Sequence, residues 1–195
     1  MSKTKLLLSA LLIGISAGSF AQAQLGIGIK GGVNFAKLDG TTTIGGNFKN
    51  RTGYHFGAFA LVKLTKIGIQ PEIIFSQQGS KVRINNEDVD GNFSYINIPV
   101  LLKLYTIAGI NLQAGPQFGF LSRAEIDGEN MKDSFKNSDI SLALGAGWDL
   151  PFGLSIDARY NLGLSKIEED FPEFKNIKNQ VIQISLGYKL IKLGN

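Results

Sequence analysis

The residues that could do chemistry are few. His55 is the only histidine and there is no cysteine in the 195 residues, so nucleophilic schemes have a single candidate base and no thiol. His55 lies on the polar side of an alternating segment, where it could act as a general base in a membrane-embedded hydrolase or acyltransferase. Ser76 or Ser122 would be the nucleophile, but no spacing motif joins either to it. The other expectation for His55 is a hydrogen-bonded histidine at a rim. A second candidate is Asn85-Asn86-Glu87-Asp88-Val89-Asp90-Gly91-Asn92, where Asp88, Asp90 and Asn92 supply alternate oxygens as in a calcium loop. The bidentate Glu that such a loop needs downstream is missing, so a solvated acidic loop is the expectation and no metal or cofactor site is assigned. Glu168-Glu169-Asp170 reads the same way, with divalent cations bridging it to lipopolysaccharide phosphates as the alternative.

The larger set is a series of charges at alternate positions: Lys30, Lys63, Glu72, Lys103, Asp149, Asp157, Arg159 and Lys189. Enclosed together they must pair, because an unpaired, desolvated charge costs several kcal/mol. Two uses follow, a salt-bridged plug or a narrow pore whose lining carries five positive and three negative charges. Glu72 with Arg159 is the preferred pair.

What must position these charges is a chain of strands. Side chains alternate across a strand, and period-two patterning recurs eight times with almost nothing helical between. It runs at about Gly26 to Leu38, Gly53 to Thr65, Ile67 to Val82, Phe93 to Thr106, Ile110 to Ser122, the hairpin Ile140 to Leu164, and Asn179 to Ile191. In that hairpin Ile140, Leu142, Leu144, Ala146, Trp148 and Leu150 form one face. After the break at Pro151-Phe152-Gly153, Leu154, Ile156, Ala158, Tyr160, Leu162 and Leu164 resume it. The polar face of the second segment also holds Phe59 and Leu61, an imperfection in its alternation. Connections alternate in length. Short ones fall around Lys66, at Ile107 to Gly109 and at Pro151 to Gly153. Long polar ones are expected at Asp39 to Thr52, Arg83 to Asn92, Arg123 to Ser138 and Ser165 to Lys178. An all-β, eight-stranded antiparallel up-and-down transmembrane β-barrel has this pattern, with its short turns periplasmic.

The glycines orient it. Gly28, Gly32, Gly57, Gly115, Gly119, Gly145, Gly147 and Gly163 all fall on the polar face. A solvated surface has no need of them, whereas the interior of an eight-stranded barrel is just wide enough for side chains and needs small residues among large ones. The polar face is therefore the lumen and the apolar stripe meets lipid, where closure satisfies the backbone. Aromatic girdles are then expected at the two interfaces: Tyr105, Trp148, Phe152 and Tyr188 at the periplasmic end, and Phe35, Tyr54, Phe75 and Phe120 at the other.

Export is read from the start of the chain. Lys3 and Lys5 precede an apolar run from Leu6 to Ile15, and Ala21-Gln22-Ala23 offers the small residues of a cleavage site, so residues 1–23 are expected to be a signal peptide and 24–195 the barrel domain. The apolar run is short for a retained span of ~20 residues. Without Lys3 and Lys5 the formal charge of +4 falls to +2, and no basic run points to nucleic acid. With no cysteine, the exported fold relies on no disulfide.

Five segments carry a resemblance: GIKGGVNFA (28–36), PEIIFSQQGSK (71–81), YINIPVLLK (95–103), GPQFGFL (115–121) and DARYNLGLSKI (157–167). In that order they resemble the recurring segments of PorT-like, or "porin family", outer-membrane β-barrel proteins of the Bacteroidetes, across essentially the whole chain after the signal. The resemblance implies a small outer-membrane barrel, and the member type that names the family is an accessory of protein secretion. Many such chains end in an aromatic residue read by the assembly machinery. This one continues past Tyr188 to KLIKLGN, so that signal is either missing or shifted inward to Tyr188.

The expected function is structural or interactive, through adhesion, envelope stability or a secretion partner contacted by the surface loops. A narrow small-solute channel is the second class and a lipid-modifying enzyme the third. Outer-membrane lipid and lipopolysaccharide are the expected surroundings.

Overall fold

A computed structural model describes residues 23–42, 47–49, 51–84, 87–126, 129–130, 132, 136–165 and 174–194. Eight strands carry the architecture: β1 (Ala23–Thr42), β2 (Arg51–Leu64), β3 (Ile67–Ile84), β4 (Glu87–Tyr105), β5 (Ile110–Ile126), β6 (Ser138–Asp149), β7 (Leu154–Gly163) and β8 (Phe174–Leu193). Each pairs antiparallel with its neighbours in the chain, and β1 pairs with both β2 and β8, which closes an eight-stranded up-and-down barrel. Closure leaves no free edge and lets every strand exchange its backbone hydrogen bonds in a medium without water. No helix among the described residues is long and apolar enough to cross a membrane, so crossing falls to the strands.

The inside–outside assignment follows from burial. Ile27, Ile69, Leu102, Leu112, Ile184 and Leu186 stand on an outer face that is apolar all round, while Lys30, Glu72, Lys103, Asp157 and Arg159 are each at most 5% exposed. A soluble protein would invert this, and an apolar belt of this extent is a surface made for lipid.

The short turns share one device. Thr65, Ala108 and Phe152, one in each, adopt positive φ, and Gly109 and Gly153 follow the last two in the same region. Reversal within two to four residues needs that left-handed step. The Pro151–Gly153 turn has proline at its start and is broken from helical geometry at Phe152 (φ 64°).

At the other end the strands run further than their alternation suggests. A crossing strand needs ~9–11 residues, whereas β3 has 18 and β4 has 19. Their pairing continues without interruption to Ile84 opposite Glu87. The long loop expected at Arg83 to Asn92 is therefore not a loop. In the register there, Arg83 lies opposite Asp88 and Lys81 opposite Asp90. Two short segments, Asn47–Lys49 and Glu129–Asn130, add to β3 and β5 in the same region. By contrast β6 and β7 have only 12 and 10 residues, so the barrel wall is low on that side.

Candidate functional site: the charged lumen

The lumen is built from inward positions of all eight strands, and its centre is an ordered chain of charges. Arg159 on β7 donates from Nη1 to Glu72 Oε2 and from Nη2 to Glu72 Oε1, both at 2.9 Å. Glu72 also accepts from Lys30 Nζ at 3.3 Å and from Gln70 Nε2 at 2.7 Å. Lys30 reaches Asp157 at 3.4 Å, and Asp157 accepts a short bond from Gln113 and faces Lys103 at 4.0 Å. Lys103 continues to Asp149 at 3.1 Å, and Asp149 receives Lys189 at 2.7 Å. Each of the three acids thus bridges two bases, a zigzag from Arg159 to Lys189. Ion pairs this shielded hold only when the remaining lone pairs and protons are also occupied. Gln70 and Gln113 supply part of this, Gln113 Oε1 accepting from Arg159 Nη2 at 3.3 Å, while Arg159 Nε is left without a partner among the described residues.

Lys63 stands apart. It is half-buried toward the short-turn end, with its ammonium 4.1 Å from the centroid of the Tyr105 ring. The eight residues expected to share the lumen are thus all on the inner wall, seven in the zigzag and Lys63 beside it.

Tyr105 corrects the girdle. It was expected at the lipid interface, but it is 4% exposed and donates its hydroxyl to Asp149 Oδ2 at 2.9 Å. The physical reason is parity, since Tyr105 is two residues past Lys103 and a strand returns it to the same inner face. The other aromatics expected in the girdles face outward. Phe35, Tyr54, Phe120, Trp148 and Tyr188 are exposed, and Phe152 sits at the tip of its turn. Phe75 packs against Tyr54 and Phe56, with ring centroids 6.3 and 5.2 Å away. Trp148 donates Nε1 to the Ala108 carbonyl at 2.9 Å, which ties an interfacial ring to a short turn.

The apolar residues on the polar face also have their explanation. Phe59 and Leu61 are inside, each under 5% exposed. Gly28 lies opposite Phe59 in the β1–β2 register, and a Cβ there would strike the ring. Glycine opposite a large ring is the small–large alternation that a narrow barrel requires.

His55 is deeper than a rim. It is 2% exposed, with Nδ1 2.7 Å from Asn34 Oδ1 and Nε2 2.8 Å from Ser185 Oγ. Ser–His–Asn is the order of a nucleophile, its base and an orienting amide. Yet Ser185 is 3% exposed and neither of the cavities described below is lined by it or by His55. The arrangement therefore reads as a satisfied buried network. Ser76 accepts instead from Asn34 and Gln78, and Ser122 sits on the exposed outer wall beside a bulge, so neither expected nucleophile bonds His55. Asp88, Asp90 and Asn92 fall on strand β4, so the acidic loop expected there is extended strand instead. Glu168-Glu169-Asp170 and the expected signal segment before Ala23 lie outside the described residues.

Asn34, Gln70 and Asn111 share the inner wall with the charges, as their alternation places them, and Asp139, which escaped the sequence reading, is buried there too, two residues before Ser141. Above the charged centre the lumen narrows to a void of about 10 Å³ bordered by Asn97, Gln117, Asp139 and Asn161. Below it, at the short turns, opens a basin of about 320 Å³.

A family model described as "outer membrane protein beta-barrel domain" matches residues 20–169. The chain belongs to this outer-membrane β-barrel family. Solved structures agree at the level of fold. Neisserial surface protein A is 14% identical with a TM-score of 0.58, over 86% of this chain and 99% of that one. OprG of Pseudomonas aeruginosa is 13% identical with a TM-score of 0.51, over 90% and 97%. Ail of Yersinia pestis, solved with the heparin analogue sucrose octasulfate, is 18% identical with a TM-score of 0.50, over 88% and 99%. No curated protein sequence matches the chain. As a member of the outer-membrane barrel family, the chain is an outer-membrane protein whose apolar belt has lipid as its solvent.

Proposed function

We infer that the chain is a closed scaffold of the outer membrane, exported by its residues 1–23, which holds extended strand ends above the bilayer for a surface or secretion-system partner. The observation that carries this reading is the Arg159–Glu72 pair with Lys30 and Asp157, which crosses the middle of the lumen with no side chain more than about 3% exposed. An eight-stranded barrel filled in this way has no aqueous path, unlike the wider barrels of porins. The side chains of the girdle and belt face outer-membrane lipid and lipopolysaccharide. The projecting β3–β4 hairpin is the surface best placed to meet a protein, whether in adhesion or as an accessory of secretion. Planar bilayers test the closure. Reconstituted protein stays silent where a porin conducts, and stable single-channel steps would replace the scaffold with a small-solute channel.

A further inference from the structure

The basin at the short-turn end is lined by Lys63, Lys189 and Lys192, against a single acid, Asp149. Asp149 has no capacity left for two of these lysines. Its Oδ1 takes Lys103, and its Oδ2 takes Lys189 and the Tyr105 hydroxyl. Among the described residues no carboxylate forms an ion pair with Lys63 or Lys192, so positive charge on the basin wall exceeds the one carboxylate, Asp149, that Lys103 and Lys189 already hold. The Tyr105 ring fixes Lys63 in place beneath its ammonium.

We propose that this basin is a blind binding site for a phosphate monoester presented from the periplasmic side. Two surplus ammonium groups match the roughly two charges of such a group better than the one charge of a carboxylate. Lysine binds phosphate as a point charge and asks for no planar, bidentate geometry of the ligand. Leu25, Leu61, Leu150 and Leu193 supply the apolar part of the wall, against which a glycerol or alkyl portion packs. At about 320 Å³ the basin holds a compact ester and falls at the small end of ligand sites of ~300–1,000 Å³. The ester comes either from a lipid headgroup reaching over the rim or from a soluble compound. Anion binding here and closure of the lumen are separate properties, because the basin lies below the Glu72–Arg159 pair and binding is read without any conductance.

Isotope-labelled protein exported to the outer membrane is purified, placed in phosphatidylcholine nanodiscs and titrated with glycerol 1-phosphate while the amide resonances of Lys63 and Tyr105 are followed. A second arm uses nanodiscs of increasing phosphatidic acid content. Saturable shifts in the first arm identify a soluble ester, and shifts in the second alone identify a headgroup. Lys63→Gln with Lys192→Gln weakens binding about tenfold, while Lys66→Gln, on the adjacent exposed turn, stays within about twofold. Lys192→Gln alone, at an exposed residue with no described ion pair, gives an intermediate loss and guards against a folding artefact. The proposal is overturned if neither arm saturates, if the double variant binds like the parent, or if Lys66→Gln costs as much as the double variant.

Discussion

Arg159 grips Glu72 through both terminal nitrogens at 2.9 Å, and the two residues are 87 positions apart on strands that are not neighbours in the sheet. The pair therefore spans the lumen and braces opposite walls. Replacing Arg159 with Met leaves a buried carboxylate with only Lys30 and Gln70, and is expected to cost about 3–5 kcal/mol. The double variant Arg159→Met/Glu72→Met should recover most of that loss. Urea unfolding of the barrel in lipid, followed by Trp148 fluorescence, measures both. A single variant as stable as the parent would show that the brace carries no energy.

Glycines on the inner wall are expected to divide into two classes. A Cβ at Gly115 would collide with the Val100 carbonyl of the adjoining strand, whereas one at Gly26 would meet nothing closer than Lys189 Cδ at 3.5 Å. Gly115→Ala should lower the yield of the folded, fast-migrating form on unboiled gels, and Gly26→Ala should leave it unchanged. Equal behaviour of the two would mean that the strands do not approach as closely as the structure shows.

Tyr105 and Trp148 lie near the same end on opposite sides of the wall. Removing the Tyr105 hydroxyl with Tyr105→Phe forfeits its bond to Asp149 and should cost roughly 0.5–1.5 kcal/mol in the same urea assay. Trp148, the only tryptophan, is 46% exposed toward lipid. Its emission should be quenched more by lipids brominated near the headgroup than by lipids brominated at the chain end. The opposite ranking would move it from the interface to the bilayer centre.

Topology can be read on whole cells. An epitope inserted between Ile84 and Glu87 should bind antibody on intact bacteria, since β3 and β4 remain paired up to those residues. The same epitope at Lys66 should bind only after the outer membrane is permeabilised. Reversed accessibility would invert the barrel and, with it, the side from which the lysine basin is reached.

The sequence by itself determined the number of strands, the lipid-facing stripe and the side on which the charges lie, because each depends on neighbours one to four residues apart. Alternation and short turns are local physics, and the glycine-rich face already separates lumen from lipid. Tyr105 was equally legible, for it shares the parity of Lys103, but its aromatic ring suggested a girdle. Only the tertiary structure decided which charge meets which. Closing the barrel sets the stagger between strands, and it brings Glu72 to Arg159 and links Lys103 to Asp149 across dozens of residues. The extension of β3 and β4 to Ile84 and Glu87 was hidden for the same reason, since a polar stretch reads as loop until the strand opposite it is known. The surplus at Lys63 and Lys192 is likewise a property of the closed barrel, where Asp149 is already shared by Lys103, Lys189 and Tyr105.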